Sequence, residues 1–98
     1  MDRIDKILNH DLFLYHLGKN NAAEADRRFC RHSMVHFLDV ARIGTIIALE
    51  EGLELDREWI YAAALLHDCG KHEQYENGTP HEQASARIAP EILKDCGF

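Results

Sequence analysis

The chain places a histidine and an aspartate side by side, His67 and Asp68, at the end of an apolar run that begins at Ile60. A helix that is apolar all round belongs inside a fold, so this run should deliver the pair from the interior. Imidazole and carboxylate groups are ligands of zinc and other first-row transition metals. The alternative is a polar pair at a helix end that Gly70 stops, with Asp68 in a salt bridge to Lys71.

Three more histidines stand where a metal site could use them. His36 lies inside an apolar pattern, and a buried neutral imidazole needs partners for both ring nitrogens, so it has either core hydrogen bonds or a metal. His32, four residues earlier, could share its helix face. His81 follows a Thr-Pro helix start, and the helix dipole there disfavours imidazolium. His81 should therefore stay neutral, able to bind a metal or to donate to a phosphate.

Basic residues near these histidines suggest an anion. The densest basic cluster in this acidic chain is formed by Arg27, Arg28 and Arg31. It is either a solvated helix face or an anion contact near the active site. Lys71 and His72 come shortly after the His-Asp pair, in a segment with turn chemistry that we expect to be a loop.

The elements that must position these residues are all helical. Apolar residues recur at helical spacing, and no strand-like alternation, internal repeat or low-complexity tract occurs. Caps are expected at Asn21, Asp56 and Thr79, the last with Glu82 as its capping-box partner. The sequence therefore predicts an all-α bundle of about five helices, and its third helix should be largely buried. The predicted helices cover residues 2–17, 21–29, 33–51, 56–68 and 79–97, with a turn at 18–21 and a loop at 70–79.

Length and composition bound the class of protein. Ninety-eight residues suit one small domain, spanning 1–98. A net charge of −6 argues against a nucleic-acid backbone as the main partner. No apolar run approaches the ~18 residues of a membrane span, and the N-terminus is not a secretory signal. An odd number of cysteines, Cys30, Cys69 and Cys96, suggests reduced thiols in a cytoplasmic protein.

Three motifs in order closely resemble the HD superfamily of metal-dependent phosphohydrolases. They are His-Phe-Leu-Asp-Val-Ala at 36–41, Ala-Leu-Leu-His-Asp-Cys-Gly-Lys at 64–71 and His-Glu-Gln-Ala-Ser-Ala at 81–86. The resemblance covers about residues 28–90 and implies an HD-type helical bundle with a divalent metal ion: Mn, Fe, Zn, Ni or Mg. By position it makes His36, His67 and Asp68 metal ligands. His81 would be the further histidine of the two-metal members, or a substrate contact.

The resemblance also implies a reaction, the hydrolysis of a nucleotide or another small phosphoester. Asp68 would be both a ligand and the base that orients water, and Lys71 would neutralise the phosphate. Two other functions stay open: a non-catalytic metal- or nucleotide-binding module, and a plain helical scaffold with satisfied core histidines. The further substrate contacts that we predict are Arg28, Arg31, His32 and His72.

The sequence departs from the family pattern at its end. Members of the family close the site with an aspartate on a later helix, whereas this sequence ends at Phe98 and Asp95 is a poor match. We therefore expect that the C-terminal part of the usual domain is missing and that apolar surface is exposed. Such surface predicts self-association as a homodimer or a higher homo-oligomer.

Overall fold

Six α-helices form the part of the chain that the structure describes. This computed structural model describes residues 1–25 and 34–98, in which no strand occurs, so the prediction of an all-α fold is confirmed. The bundle has six helices there, where about five were expected, and none is long and apolar enough to cross a membrane. The helices are α1 (Asp2–Leu8), α2 (Asp11–Ala23), α3 (Met34–Glu50), α4 (Arg57–Leu66), α5 (Lys71–Asn77) and α6 (His81–Asp95).

The first predicted helix is in fact two, because the chain turns at Asn9 and His10. The Asn9 side chain donates to the carbonyl of Asp5 at 2.8 Å and so satisfies the end of α1. The His10 ring caps α2, since its Nδ1 accepts from the backbone N–H of Leu12 at 3.1 Å. From there α2 continues through the turn predicted at 18–21. A histidine as N-cap is uncommon, which is why the sequence did not reveal this boundary.

The predicted loop at 70–79 is also partly wrong, because it contains α5. Only its end matches the turn chemistry, with Gly78 in the left-handed region at φ 80°. Thr79 does not cap α6, since its hydroxyl donates to Asn77 Oδ1 at 2.6 Å. Gln74 of α5 supplies the cap instead, accepting from the backbone N–H of His81 at 3.1 Å. Helix α5 therefore positions the start of α6.

Helix α4 lies at the centre of the packing, as its apolar run predicted. Asp56 caps it, accepting from the N–H of Glu58 at 2.9 Å. It packs against α1, α3 and α6. The shared core includes Phe37 and Leu65, both fully buried. The last residue of α4 is Leu66, so the His-Asp pair directly follows the C-terminal end of this central helix.

Helix α3 is less buried than its composition predicted. Its inner face packs on α4 through Phe37, Ala41 and Ala48. Its outer face carries apolar side chains that no other described helix covers. The apolar composition of α3 indicates which of its residues are able to be buried. Which of them are buried depends on the helices that pack against α3. The exposed fractions are 68% for Val35, 57% for Ile43, 54% for Ile46, 48% for Ile47 and 75% for Leu49.

Candidate metal centre

The His67–Asp68 pair is held at the C-terminal end of α4. His67 is the C-cap residue and keeps helical backbone angles, with its N–H bonded to the Ala63 carbonyl. Asp68 follows and is only 8% exposed. The buried Asn20 of α2 donates through Nδ2 to the carbonyl of Asp68 at 3.1 Å and to that of Cys69 at 3.3 Å. Helix α2 therefore fixes the backbone that carries the aspartate.

Gly70 allows α6 to approach this turn closely. Its N–H donates to the Ser85 hydroxyl at 2.9 Å. A Cβ atom at position 70 would lie 2.6 Å from the Ala84 Cβ and 2.7 Å from the Ser85 nitrogen, well inside van der Waals contact. The glycine is therefore required for packing, since its φ of −95° is accessible to any residue. The close approach brings the start of α6 beside the pair.

One ligand atom from each of His36, His67 and Asp68 lies within 4.8 Å of the other two. His36 comes from α3 and the pair from the end of α4, so two packed helices supply the group, as in metal sites built in bundle cores. Zinc-type bonds of about 2.0–2.2 Å can span donors at such separations. Of the described residues, no other histidine, cysteine or acidic residues form such a group.

Hydrogen bonding fixes which nitrogen of His67 is available. Nδ1 lies 2.7 Å from the Ala64 carbonyl, which can only accept, so Nδ1 carries the proton. In the neutral ring Nε2 is then bare, and it lies 3.1 Å from Asp68 Oδ2. Two lone pairs that face each other at this distance require a cation or a proton. The hydrogen bond with Asp68 accordingly raises the pKa of His67, against the opposing effect of burial. These donors fit a divalent metal ion.

His81 and Lys71 lie beside this group. His81 Nε2 is 3.6 Å from Asp68 Oδ1, the carboxylate oxygen that does not face His67. Lys71 Nζ is 3.4 Å from His81 Nδ1 and lies over the Tyr75 ring, 5.8 Å from its centroid. The structure thus brings together five of the residues that the sequence singled out: the three predicted ligands, the further histidine and the lysine.

Four further residues were predicted to contact substrate, and the described part of the chain does not place any of them in this group. His72 is buried on α5, with Nε2 2.7 Å from His16 Nδ1 of α2. Arg28, Arg31 and His32 lie outside the described residues. Their roles, and that of His72, stay predictions.

An apolar groove borders the site on the side of His67. It lies between α4 and α6 and has a volume of about 370 Å³. Most of its wall is alkyl or aromatic, and the polar groups are His67, Glu82 and Ser85. The groove leaves room next to the ligand atoms for the apolar part of a bound molecule. Its apolar lining consists of Trp59, Ala62, Ala63, Leu66, Ala86, Ala89 and Leu93.

Asn20, Gln74 and Ser85 support the site, and sequence reasoning missed all three. Asn20 is 48 residues from Asp68, and Ser85 is 15 residues from Gly70. Hydrogen bonds over such separations leave no periodic signal. Gln74 would have been found only by predicting α5, because its partner His81 lies one helix further along.

The comparisons with known proteins identify the family of the chain. The family model described as "HD domain" matches residues 34–98. The chain therefore belongs to the HD-domain family, as the three motifs predicted. It is 55% identical over 98 residues to a protein of Clostridium beijerinckii (strain ATCC 51743 / NCIMB 8052) described as an uncharacterized protein, and it spans 62% of that protein's length. No solved structure matches the chain.

Proposed function

We propose that this HD domain is a metal-dependent phosphohydrolase that acts on a nucleotide or another small phosphoester. The observation that carries the proposal is the convergence of donor atoms from His36, His67 and Asp68. Membership of the HD-domain family supports it. Three protein ligands leave room for water or substrate, which is the pattern of catalytic rather than structural metal sites.

The proposed ion is held by His36, His67 and Asp68. A divalent ion bound there would supply Lewis acidity for a phosphate oxygen and would lower the pKa of a bound water. Two nitrogen donors and one oxygen favour Mn, Fe, Ni or Zn over Mg, which prefers oxygen ligands. His81, which faces the second carboxylate oxygen of Asp68, is either a ligand of a second ion or a contact to substrate.

The residues of the chain supply the rest of the proposed chemistry. The Asp68 carboxylate, fixed by Asn20 through its backbone, orients the attacking water and accepts its proton. The Lys71 ammonium, next to His81, attracts the phosphate and stabilises negative charge as it develops. The apolar groove beside His67 accommodates the organic part of the ester.

The experiment measures metal content and phosphoester turnover for the wild type, Asp68→Asn and Asp39→Asn. Asp39 is a matched control, since it lies on α3 near His36 in sequence but pairs with Arg42 at the surface, at 3.3 Å. We expect about one transition-metal ion per chain and metal-dependent hydrolysis of p-nitrophenyl phosphate or nucleotides. Both should be lost in Asp68→Asn and kept in Asp39→Asn.

The same measurements separate the competing functions. Metal bound through Asp68 without any turnover would contradict the enzyme and favour the non-catalytic binding module. Absence of metal from both the wild type and Asp68→Asn, even after exposure to manganese, iron and zinc, would favour the plain scaffold.

Self-association is a further part of the proposal, with a second copy of this chain on the outer face of α3. Along α3, Arg42 precedes Ile46 and Glu50 follows it by the same number of residues. If the α3 helices of two copies packed antiparallel with their Ile46 residues opposite each other, each Arg42 would lie beside the oppositely charged Glu50 of the partner subunit. Light scattering at tens of micromolar should give a dimer for the wild type and a monomer for Ile46→Glu. A monomeric wild type would contradict it.

A cytoplasmic location is also proposed. Its support is chemical: the two cysteines in the described ranges, Cys69 and Cys96, are both buried and unpaired. Free thiols of this kind are usual where the environment is reducing. Fractionation of the native host with an antibody tests it, and recovery outside the cytoplasm would contradict it.

A further inference from the structure

We propose that Gln74 is the positioning residue of this site: it determines which ring nitrogen of His81 carries the proton, and so whether the nitrogen that faces Asp68 is bare. Its significance for metal binding rests on the proposed function. The positioning itself rests only on hydrogen bonds made by described residues, and it can be tested without any metal.

The orientation of the Gln74 amide is fixed by the backbone. The N–H of His81 is 3.1 Å from the Gln74 side-chain oxygen, Oε1. A backbone N–H can only donate, so the amide atom at this position must be the oxygen and not the NH₂ group. This argument settles the assignment of oxygen and nitrogen, which atom positions alone leave open.

The same oxygen then determines the tautomer of His81. Gln74 Oε1 is 2.8 Å from His81 Nδ1, and because it can only accept, Nδ1 must carry the proton. Lys71 would require the opposite tautomer, since its ammonium can donate only to a bare Nδ1, but its distance is longer, 3.4 Å. Glu82, at 3.5 Å and largely exposed, favours the same tautomer as Gln74.

The consequence appears on the other side of the ring. With Nδ1 protonated, the neutral imidazole turns a bare Nε2 towards Asp68 Oδ1, at 3.6 Å. Both Asp68 oxygens then face bare imidazole nitrogens, because His67 Nε2 faces Oδ2 at 3.1 Å. This arrangement attracts a cation. In the opposite tautomer, Nε2–H of His81 would point at Asp68 Oδ1 and repel a metal ion that approaches it.

Nitrogen NMR of the metal-free protein tests the tautomer directly. Long-range ¹H–¹⁵N correlations at about pH 8, above the ordinary histidine pKa, show which ring nitrogen is protonated. The His81 signals are assigned from the spectrum of His81→Asn. We expect Nδ1–H in the wild type, a shift towards Nε2–H in Gln74→Leu, and Nδ1–H in Gln74→Glu, which keeps an acceptor oxygen. Gln83→Leu, a change at an exposed glutamine of α6, is the matched control and should resemble the wild type.

Metal titration is the second readout. In Gln74→Leu the Nε2–H of His81 would point at an Asp68 oxygen and compete with the ion for it. Changes around the ligands of a metal typically alter affinity 10- to 100-fold, so binding of Mn²⁺ or Zn²⁺ should weaken about tenfold. Gln74→Glu should restore it. A role in capping α6 alone would lower the melting temperature of Gln74→Leu and leave the ring nitrogens unchanged, which would overturn the inference.

Nε2–H in the wild type would overturn the inference as well. Because the nitrogen signals are read without metal, they test the role of Gln74 even if the protein binds no ion. Failure of the proposed function would instead appear as the absence of metal from a wild type whose His81 carries the predicted tautomer.

Discussion

Two pairs of polar side chains, His67–Asp68 and His16–His72, lie at opposite ends of the turn that follows α4. Each pair contains an imidazole ring, and the pairs differ in the chemical group that faces that ring. In the candidate metal centre, His67 Nε2 faces a carboxylate oxygen of Asp68 at 3.1 Å. In the second pair, His16 Nδ1 faces another imidazole, His72 Nε2, at 2.7 Å. A single proton between two rings satisfies the second pair and leaves it neutral, whereas the first carries the negative charge of a carboxylate, which a cation or a further proton balances. Histidines close together do not by themselves make a metal site.

The surroundings of the second pair strengthen this contrast. His16 and His72 are 8% and 3% exposed, and their rings stack with centroids 5.0 Å apart. His72 Nδ1 is 3.3 Å from Glu76 Oε1, but the geometry is too poor for a hydrogen bond. Glu76 is instead held by Lys19 at 3.1 Å. In the described part of the chain no third ligand atom completes a group around the pair, which joins α2 to α5 by its hydrogen bond.

Asn20 joins the two regions and gives the largest expected effect on stability. It is fully buried, donates to the carbonyls after α4 and accepts from the backbone N–H of His72 at 2.7 Å. Each buried group left without a partner costs about 1–3 kcal/mol, so Asn20→Leu should lower the free energy of unfolding by ~3 kcal/mol or more. Urea unfolding measures this loss. Metal titration should show weaker binding, because the backbone of Asp68 is no longer fixed.

The neighbouring Asn21 provides the control, since it lies on α2 but is exposed. Asn21→Leu should leave both the unfolding midpoint and metal affinity near those of the wild type. If Asn20→Leu were as stable as this control, the two regions would be independent, and the proposed support of the metal centre by α2 would be wrong.

His72→Phe should affect stability but not metal content. The phenyl ring can keep the stacking on His16, but it removes the hydrogen bond, which contributes about 0.5–1.5 kcal/mol. Thermal unfolding followed by circular dichroism measures the loss, and elemental analysis measures the metal. A metal content that fell with this substitution would make His72 part of the centre and remove the distinction between the pairs. A raised KM with unchanged stability would instead support its predicted contact to substrate.

Local patterns explain how much of this arrangement the sequence could predict. The apolar run before His67 and the cap at Asp56 act over one helix, and both were predicted correctly. Burial of α3 was overestimated because Ile46 and its neighbours are apolar but lack a partner helix among the described residues. The His16–His72 pair joins residues 56 apart in sequence, and no local pattern encodes such a contact.

The loss of stability in acid is the smallest expected effect. The two pairs differ in the direction in which the pKa of the histidine is shifted. Burial, followed by the charge of His72, lowers the pKa of His16 below its ordinary value of 6.5; Glu73 and Glu76 oppose this and Arg87 adds to it. His16 therefore binds protons more readily in the unfolded chain. Its contribution to stability is complete above about pH 6.5 and is lost as the pH falls towards its folded pKa. For His67 the pKa shifts the other way, because Asp68 faces it.

A comparison of two proteins at two pH values isolates this effect. His16→Phe removes the titrating ring while keeping an aromatic side chain, so the histidines outside the His16–His72 pair contribute equally to both proteins, and the difference between the proteins reports on the pair. The melting temperature of metal-free wild type should fall more between about pH 7.5 and pH 5.5 than that of the variant, since only the wild type must protonate a buried imidazole beside a second one. An equal fall in both proteins would mean that the His16–His72 pair accepts a proton as easily as the unfolded chain does. The physical difference between the two pairs would then lie in exposure alone and not in the charge that faces each ring.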